Sequence, residues 1–426
     1  MKKARLVSMI LTASLLLTAC GGGETSTSEK TETNKDAVFR EEVSAFDLEE
    51  GDISQIVVAE DILYVEQYIY NYDIPQERAE EAVVYSSSVE VPEAVAVAED
   101  IVTEESAEEI IEENDTVDIE VVEDEEYKDS TTTRMITGYS MDGTVKNRVS
   151  QEMEANQGGG TFTVDAEGNI YSIIYQYATY EGDDTTDKVY LTAYGADGSE
   201  NWKIHLNENI AEGEYFYVNS LYCDDKNQII MNSSRGIEIY DRQGNPVKQI
   251  KKENVNDARL FKIRDNKFAF ISSDGNSASI QTLDIQGETF GEKVNLPFNY
   301  YKYQVMDGVH YDIYLSDDYG IYGYNIGDAE ITKVMDYISS DFASNYLYQV
   351  SFIDENTFVA YYYGENGSIL SKFAKVPPEE VVDKTDLVIG CYYLDHNVKQ
   401  KLVEFNKNSQ EYRLNIRDYS MYDKRA

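Results

Sequence analysis

The side chains best suited to chemistry are few in this chain, and they do not gather. It has three histidines, His205, His310 and His396, and three cysteines, Cys20, Cys223 and Cys391. A metal site needs imidazole, thiolate or carboxylate ligands at short, matched spacings. No histidine here has a second ligand so placed. The cysteines are too scattered for a disulfide framework, and no disulfide is expected. Adjacent carboxylates, Asp183-Asp184 and Asp317-Asp318, raise glycoside hydrolysis, in which two carboxyl groups flank the scissile bond. Both pairs lie in turn-like stretches, where Asp is favoured because its side chain bonds the local backbone. Neither a Gly-x-Ser-x-Gly elbow nor a phosphate-binding loop occurs. The expectation is no enzyme, no cofactor and no metal. The aromatic runs are the better lead. Tyr300-Tyr301-Lys302-Tyr303 and Tyr346-Leu347-Tyr348-Gln349 could stack on sugar rings or peptide, or else pack inside the fold.

Charge narrows the partners. Against 36 Lys plus Arg stand 80 Asp plus Glu, a formal net charge of −44. Such a surface repels phosphate backbones, so nucleic-acid binding is not expected. The chain opens with Lys2, Lys3 and Arg5 before an apolar run too short to anchor by spanning a bilayer. Leu17-Thr18-Ala19-Cys20 then resembles a bacterial lipobox. That resemblance implies cleavage before Cys20, whose sulfur would carry a diacylglycerol and make membrane lipid a partner. Residues 1–19 are thus expected to be a lipoprotein signal peptide. Residues 20–36, small and polar, read as a flexible tether. The expected location is the extracytoplasmic face of the cell membrane, lipid-anchored, in a Gram-positive bacterium.

Residues 37–376 carry a recurring pattern, apart from an acidic insertion over 76–131 that is expected to be disordered and solvated. Runs rich in Val, Ile, Tyr and Phe meet across short Asp, Asn or Gly turns, as in FTVDAEGNIYSIIY (162–175) and LFKIRDNKFAFISS (260–273). This is a hairpin signature. Each pair is followed by further strands around turn glycines Gly143, Gly198, Gly244, Gly287 and Gly327. Their spacing of roughly 40–55 residues matches one four-stranded propeller blade. The fold class expected is mainly β, a β-propeller of about six or seven blades. A seventh blade could be completed by residues 37–48 if the N-terminus closes the ring beside the last strand; the competing architecture is a β-sandwich. The run TAYGADGSENWKI (192–204) resembles one docking repeat of the pyrroloquinoline-quinone-like propellers. Trp202 is the chain's single tryptophan, so the motif does not recur and the likeness implies a propeller only.

Pro377 and Pro378 break the pattern, and 377–386 reads as a linker. Residues 387–426 then resemble the start of an incomplete α/β domain. DLVIGCYY is a strand-like run. In the next stretch, Val398, Leu402 and Phe405 make an apolar helical face, with Asp395 or Asn397 as cap. EYRLNIRDYS alternates as a second strand. Strand, helix, strand makes a parallel βαβ unit. DLVIGCYYLDHNVKQKLVEFNKNSQEYRLNIRDYS resembles the N-terminal βαβ of family 1 extracellular solute-binding proteins, the sugar-binding receptors of ABC importers, whose domain is periplasmic-binding-protein-like. The resemblance implies that Tyr392 and Tyr393 face a ligand cleft. It also implies partners: a small-molecule solute, a sugar, and an ABC permease in the full-length form. Most of that receptor is missing from the chain, which is expected to be truncated within it. The expected function is a lipid-anchored solute-binding protein of an ABC import system. The alternative is a propeller that acts as a surface binding module with no transport role.

Overall fold

The computed structural model describes residues 34–43, 46–71, 131–178, 187–210, 214–251, 259–273, 277–343, 347–364, 367–392 and 394–419. Cys20, most of the tether, nearly all of the acidic insertion and Tyr393 lie outside them. Ala37–Val376 forms one compact unit, and the segments on either side of it group into a second.

The larger unit is a six-bladed β-propeller. Its sheets follow one another along the chain, each an antiparallel meander. Blade 1 spans 52–153, blade 2 157–205, blade 3 218–250, blade 4 259–295, blade 5 304–336, and blade 6 349–375. In blade 4 the outer position is split, with Thr289–Phe290 and Val294–Asn295 pairing with different parts of Ala278–Asp284. The segment anticipated as a possible seventh blade instead completes the sixth. Phe39–Val43 pairs antiparallel with Gly367–Lys375 as its outermost strand, Phe39 opposite Lys375. First and last portions of the unit therefore share one sheet, which leaves no open break in the ring.

The core confirms closure. It divides into apolar clusters that sit between neighbouring blades all the way round. Between blades 1 and 2 lie Tyr64, Ile136, Val149, Phe162, Val164 and Ile170. Between blades 5 and 6 lie Met306, Tyr314, Met335, Phe352, Phe358 and Phe39. Blades 6 and 1 close the circle through Tyr361 and Leu370 against Ile53, Leu63 and Val65. Every blade is thus buried on both faces, which is why its strands read as nearly continuous apolar runs rather than strict alternation.

Recurrent Asp turns set the hairpins. Asp165 Oδ1 accepts from the backbone N–H groups of Glu167 and Asn169, both at 2.9 Å. Asp241 repeats the arrangement with Gln243 and Asn245, and the turn is closed by Gly244 at φ +80°. The same glycine lets Trp202 dock on the next blade. A Cβ there would stand 3.1 Å from the indole, whose Nε1 donates to the Arg242 carbonyl at 2.9 Å.

The channel edges of the inner strands have no sheet neighbour, and three glutamines supply one. Gln349 of blade 6 accepts from Ile56 N–H (2.8 Å) and donates to Ile56 C=O (2.7 Å) on blade 1. Gln55 of blade 1 does the same for Phe162 on blade 2, at 3.1 and 3.0 Å. Gln304 of blade 5 donates to the Tyr348 carbonyl at 2.5 Å. Each primary amide mimics a passing strand. Gln349→Leu should therefore cost about 1–3 kcal/mol for each backbone group left unpaired, read as a lower urea midpoint. An unchanged midpoint would show that water replaces the amide at no cost.

In the smaller unit, Thr385–Cys391 pairs in parallel with Tyr412–Asp418, with Leu387 opposite Leu414 and Ile389 opposite Ile416. The helix His396–Asn408 connects them. Asp395 caps it, accepting from Asn397 N–H (2.9 Å) and Val398 N–H (3.4 Å). The Asn406 amide holds the helix end to the second strand through Leu414 N–H (2.7 Å) and C=O (3.0 Å). The buried stripe is Lys399, Leu402, Val403 and Asn406, whereas Val398 is half exposed. The expected face was rotated because Asn406, polar by type, is buried by its backbone-mimicking bonds. Among the described residues no helix is long and apolar enough to cross a membrane.

Candidate binding face

All inner strands run in the same direction around the channel, so every blade presents the same kind of connection at a given end. One end receives the links from an outer strand to the next inner strand and the links from second to third strands. Every exposed tyrosine described in the propeller lies at this end: Tyr70, Tyr177, Tyr215, Tyr217, Tyr301, Tyr348 and Tyr363. Tyr70, Tyr177 and Tyr363 stand at or just past the ends of second strands. Tyr215, Tyr217, Tyr301 and Tyr348 precede inner strands.

Buried groups hold these rings in place. The inner strand of blade 2 carries Gly158, Gly159 and Gly160 near its start, and neighbouring side chains come down onto its bare backbone. A Cβ on Gly159 would collide with the Tyr68 hydroxyl and stand 2.5 Å from Arg134 Nε. On Gly160 it would meet Tyr175 at 2.7 Å, and on Gly158 the Tyr177 hydroxyl at 3.0 Å. Arg134 is itself buried. It donates through Nε to Glu66 Oε1 at 2.5 Å and through Nη2 to the Gly160 carbonyl at 3.0 Å. Nη2 also pairs with Glu66, and Ser54 Oγ donates to the other Glu66 oxygen. Tyr175 stacks on Tyr177, centroids 6.4 Å apart and planes 9° apart. On blade 6, Tyr348 stacks on Tyr361 at 5.8 Å and meets Tyr363 edge-on at 4.9 Å. The Tyr301 hydroxyl is 2.7 Å from Ser273 Oγ.

Burial also sets the acid–base behaviour here. The Tyr68 phenol is pushed up to about 12, first by burial and then by the charge of Glu66. Tyr361 is likewise pushed up to about 12 by burial, reinforced by Tyr363 and Tyr348. Phenols ordinarily ionise near pH 10. Below that the stability of the native phenols is fully present. As pH rises from 10 toward 12, the unfolded chain loses protons that the folded one keeps, so stability falls. Alkaline titration should show unfolding within this window, with a second rise in tyrosinate absorbance that coincides with it. A single smooth rise with the fold intact would contradict this.

The expected residues divide. Tyr301 and Tyr348 reach the exposed face, whereas Tyr300 and Tyr303 pack against the cluster between blades 4 and 5. Tyr346 is outside the described residues. Tyr70, Tyr177, Tyr215, Tyr217 and Tyr363 were not singled out by sequence, though their repeated place at strand ends was a usable signal. Asp317 accepts from Tyr319 and Gly320 N–H groups, a local turn; Asp183-Asp184 lies outside the described residues. His205 packs on Tyr190 in blade 2 and His310 lies at the opposite end of blade 5. Among the described residues no group of three or more His, Cys, Asp or Glu could hold a metal. Cys223 is buried, its thiol pushed up to about 12 by burial and then by Asp165. Tyr392, just past the first strand of the smaller unit, is exposed.

No protein family and no curated protein matches the sequence. Solved structures align with this chain, a propeller domain among them. The Dos1 propeller aligns with 9% identity over 57% of this chain and 75% of its own, TM-score 0.37. Oligogalacturonate lyase from Vibrio parahaemolyticus aligns with 12% identity over 57% and 74%, TM-score 0.36. A gluconolactonase from Xanthomonas campestris aligns with 12% identity over 57% and 82%, TM-score 0.33. Two of these three are enzymes. The expectation of no enzyme is corrected accordingly: scattered histidines and carboxylates in a propeller sequence are no ground for excluding catalysis. At this level of identity the likeness extends to the fold alone.

Proposed function

We propose that this chain is a lipid-anchored, extracytoplasmic binding protein whose propeller holds its ligand on the tyrosine-bearing face. The observation that carries this reading is the segregation of the exposed tyrosines to one end of the ring. A tyrosine ring offers a flat apolar surface with a polar tip and few rotatable bonds, which suits contact with sugar or peptide. The stacked partners beneath Tyr177 and Tyr348 restrict the rings further, so less freedom is lost on binding. A second reading, delivery of a carbohydrate solute to an ABC permease, is favoured by the parallel strand–helix–strand of the smaller unit. There Tyr392 follows the carboxyl end of the first strand, where α/β folds place ligands.

Anchoring through Cys20 has a direct check. Cys20→Ala should abolish lipid labelling and release the protein from washed membranes; full membrane retention without label would overturn the lipobox reading. For the face, full-length protein is titrated against soluble oligosaccharides and peptides beside a variant carrying Y177S, Y215S, Y301S, Y348S and Y363S. Ring contacts worth about 0.5–1.5 kcal/mol each imply at least about tenfold weaker binding by the variant. Circular dichroism checks that the variant is folded, because Tyr177, Tyr348 and Tyr363 also make ring contacts within the propeller. Equal binding by both proteins overturns the reading.

A further inference from the structure

Resting on that reading of the tyrosine face, the geometry of blade 6 points to a particular ligand class. Tyr361 is 7% exposed, and its hydroxyl donates to the Ser54 carbonyl at 2.9 Å, fixing the ring between blades 6 and 1. Tyr348 lies nearly parallel to it, with 13° between the planes. One face of Tyr348 is thus backed by a buried ring while the side chain as a whole remains 48% exposed. Tyr363, 45% exposed, stands at 78° to Tyr348 with centroids 4.9 Å apart. The backbone under Tyr348 is tied on both sides: its N–H donates to the Tyr361 carbonyl at 2.9 Å, and its C=O accepts from Gln304. The result is a preorganised corner, a floor ring and a wall ring, exposed at the tyrosine-bearing end of blade 6.

We propose that this Tyr348–Tyr363 corner is the primary subsite for a neutral pyranose unit of a glycan. A hexopyranose has one face of axial C–H groups that matches the floor ring, and an edge that meets the wall. Its equatorial hydroxyls stay free for water or for the phenol groups. Uronic acids have the same shape but carry charge, and the chain's surplus of Asp and Glu over Lys and Arg disfavours their approach. The ligand class is therefore neutral.

The test uses full-length protein, neutral hexasaccharides of glucose, mannose, galactose and xylose, and oligogalacturonate as the acidic probe. Binding is measured for wild type, Tyr348→Ala, Tyr348→Phe, Tyr363→Ala, Tyr177→Ala and Tyr215→Ala. At least one neutral hexasaccharide should bind more tightly than oligogalacturonate. It should lose at least about tenfold in affinity with Tyr348→Ala or Tyr363→Ala and keep its affinity within about threefold with Tyr348→Phe, tenfold being about 1.4 kcal/mol. Tyr348→Phe retains the ring and so separates loss of stacking from loss of fold. Affinity lost in Tyr177→Ala or Tyr215→Ala but not in the corner variants overturns the corner while leaving the face reading intact. Tighter binding of oligogalacturonate overturns the neutral specificity. Failure of every neutral hexasaccharide to bind also overturns the proposal, and the peptides titrated against the five-site variant then decide the face reading separately.

Discussion

Arg134→Met is expected to destabilise the protein by about 3–5 kcal/mol, because it strands a buried carboxylate. Glu66 and Arg134 are each 2% exposed and sit between blades 1 and 2, above the apolar cluster of Tyr64 and Phe162. Glu66 also takes a hydrogen bond from Ser54, and Arg134 also serves the Gly160 carbonyl. Removing the guanidinium leaves the buried Glu66 carboxylate without its ion-pair partner and leaves Gly160 C=O without its donor. Adding Glu66→Leu should recover much of the loss, since replacing a buried pair as a whole costs far less than halving it. Urea denaturation of the single and double variants checks both statements. Equal midpoints for wild type and Arg134→Met would mean that the pair is hydrated and contributes little.

Phe39→Ala should cost about 3–5 kcal/mol, the usual range for a buried ring truncated to a methyl group. Phe39 is 1% exposed, with its ring 5.3 Å from Phe358. Its N–H donates to Ser340 Oγ at 3.0 Å, and the neighbouring Val38 carbonyl accepts from Val376 N–H at 2.8 Å. The residue therefore anchors the strand that closes the ring, and its loss weakens both a core cluster and the pairing with Gly367–Lys375. Glu42→Ala on the same strand is the control. Its contact with Lys372 is a surface pair, worth at most about 1 kcal/mol. A Phe39→Ala protein as stable as Glu42→Ala would mean that the closing strand is dispensable.

The repeat was legible because hairpin runs and turn glycines are local signals. Asp165, Asp241 and Gly244 make the turns that their types suggest, and Trp202 docks on the next blade. What sequence could not resolve were features set by blade-to-blade proximity. Residues 37–48 could be placed beside the last strand, but whether Phe39–Val43 completes the sixth blade or begins a seventh is set by its pairing with Gly367–Lys375, which no local pattern encodes. The glycine run 158–160 has no local role; its reason is the side chains that descend on it from a neighbouring strand and from blade 1. Gln55 and Gln349 look like ordinary polar strand residues until the bare edge beside each is seen. The tyrosine runs were read correctly as aromatic surface or core, but only topology divides Tyr301 and Tyr348 from Tyr300 and Tyr303. The expectation against catalysis leaned on scattered residue types, which a closed ring can bring together.

The most direct test of the binding face is oxidative footprinting of tyrosines on full-length protein, with and without a saturating ligand, read by mass spectrometry. The propeller and the smaller unit each carry exposed tyrosines, so each reports on its own surface. The account predicts protection of Tyr177, Tyr301, Tyr348 and Tyr363, with Tyr392, Tyr412 and Tyr419 labelled as before. Protection of Tyr392 and Tyr412 alone, with the propeller tyrosines unchanged, would contradict it and move the ligand to the smaller unit.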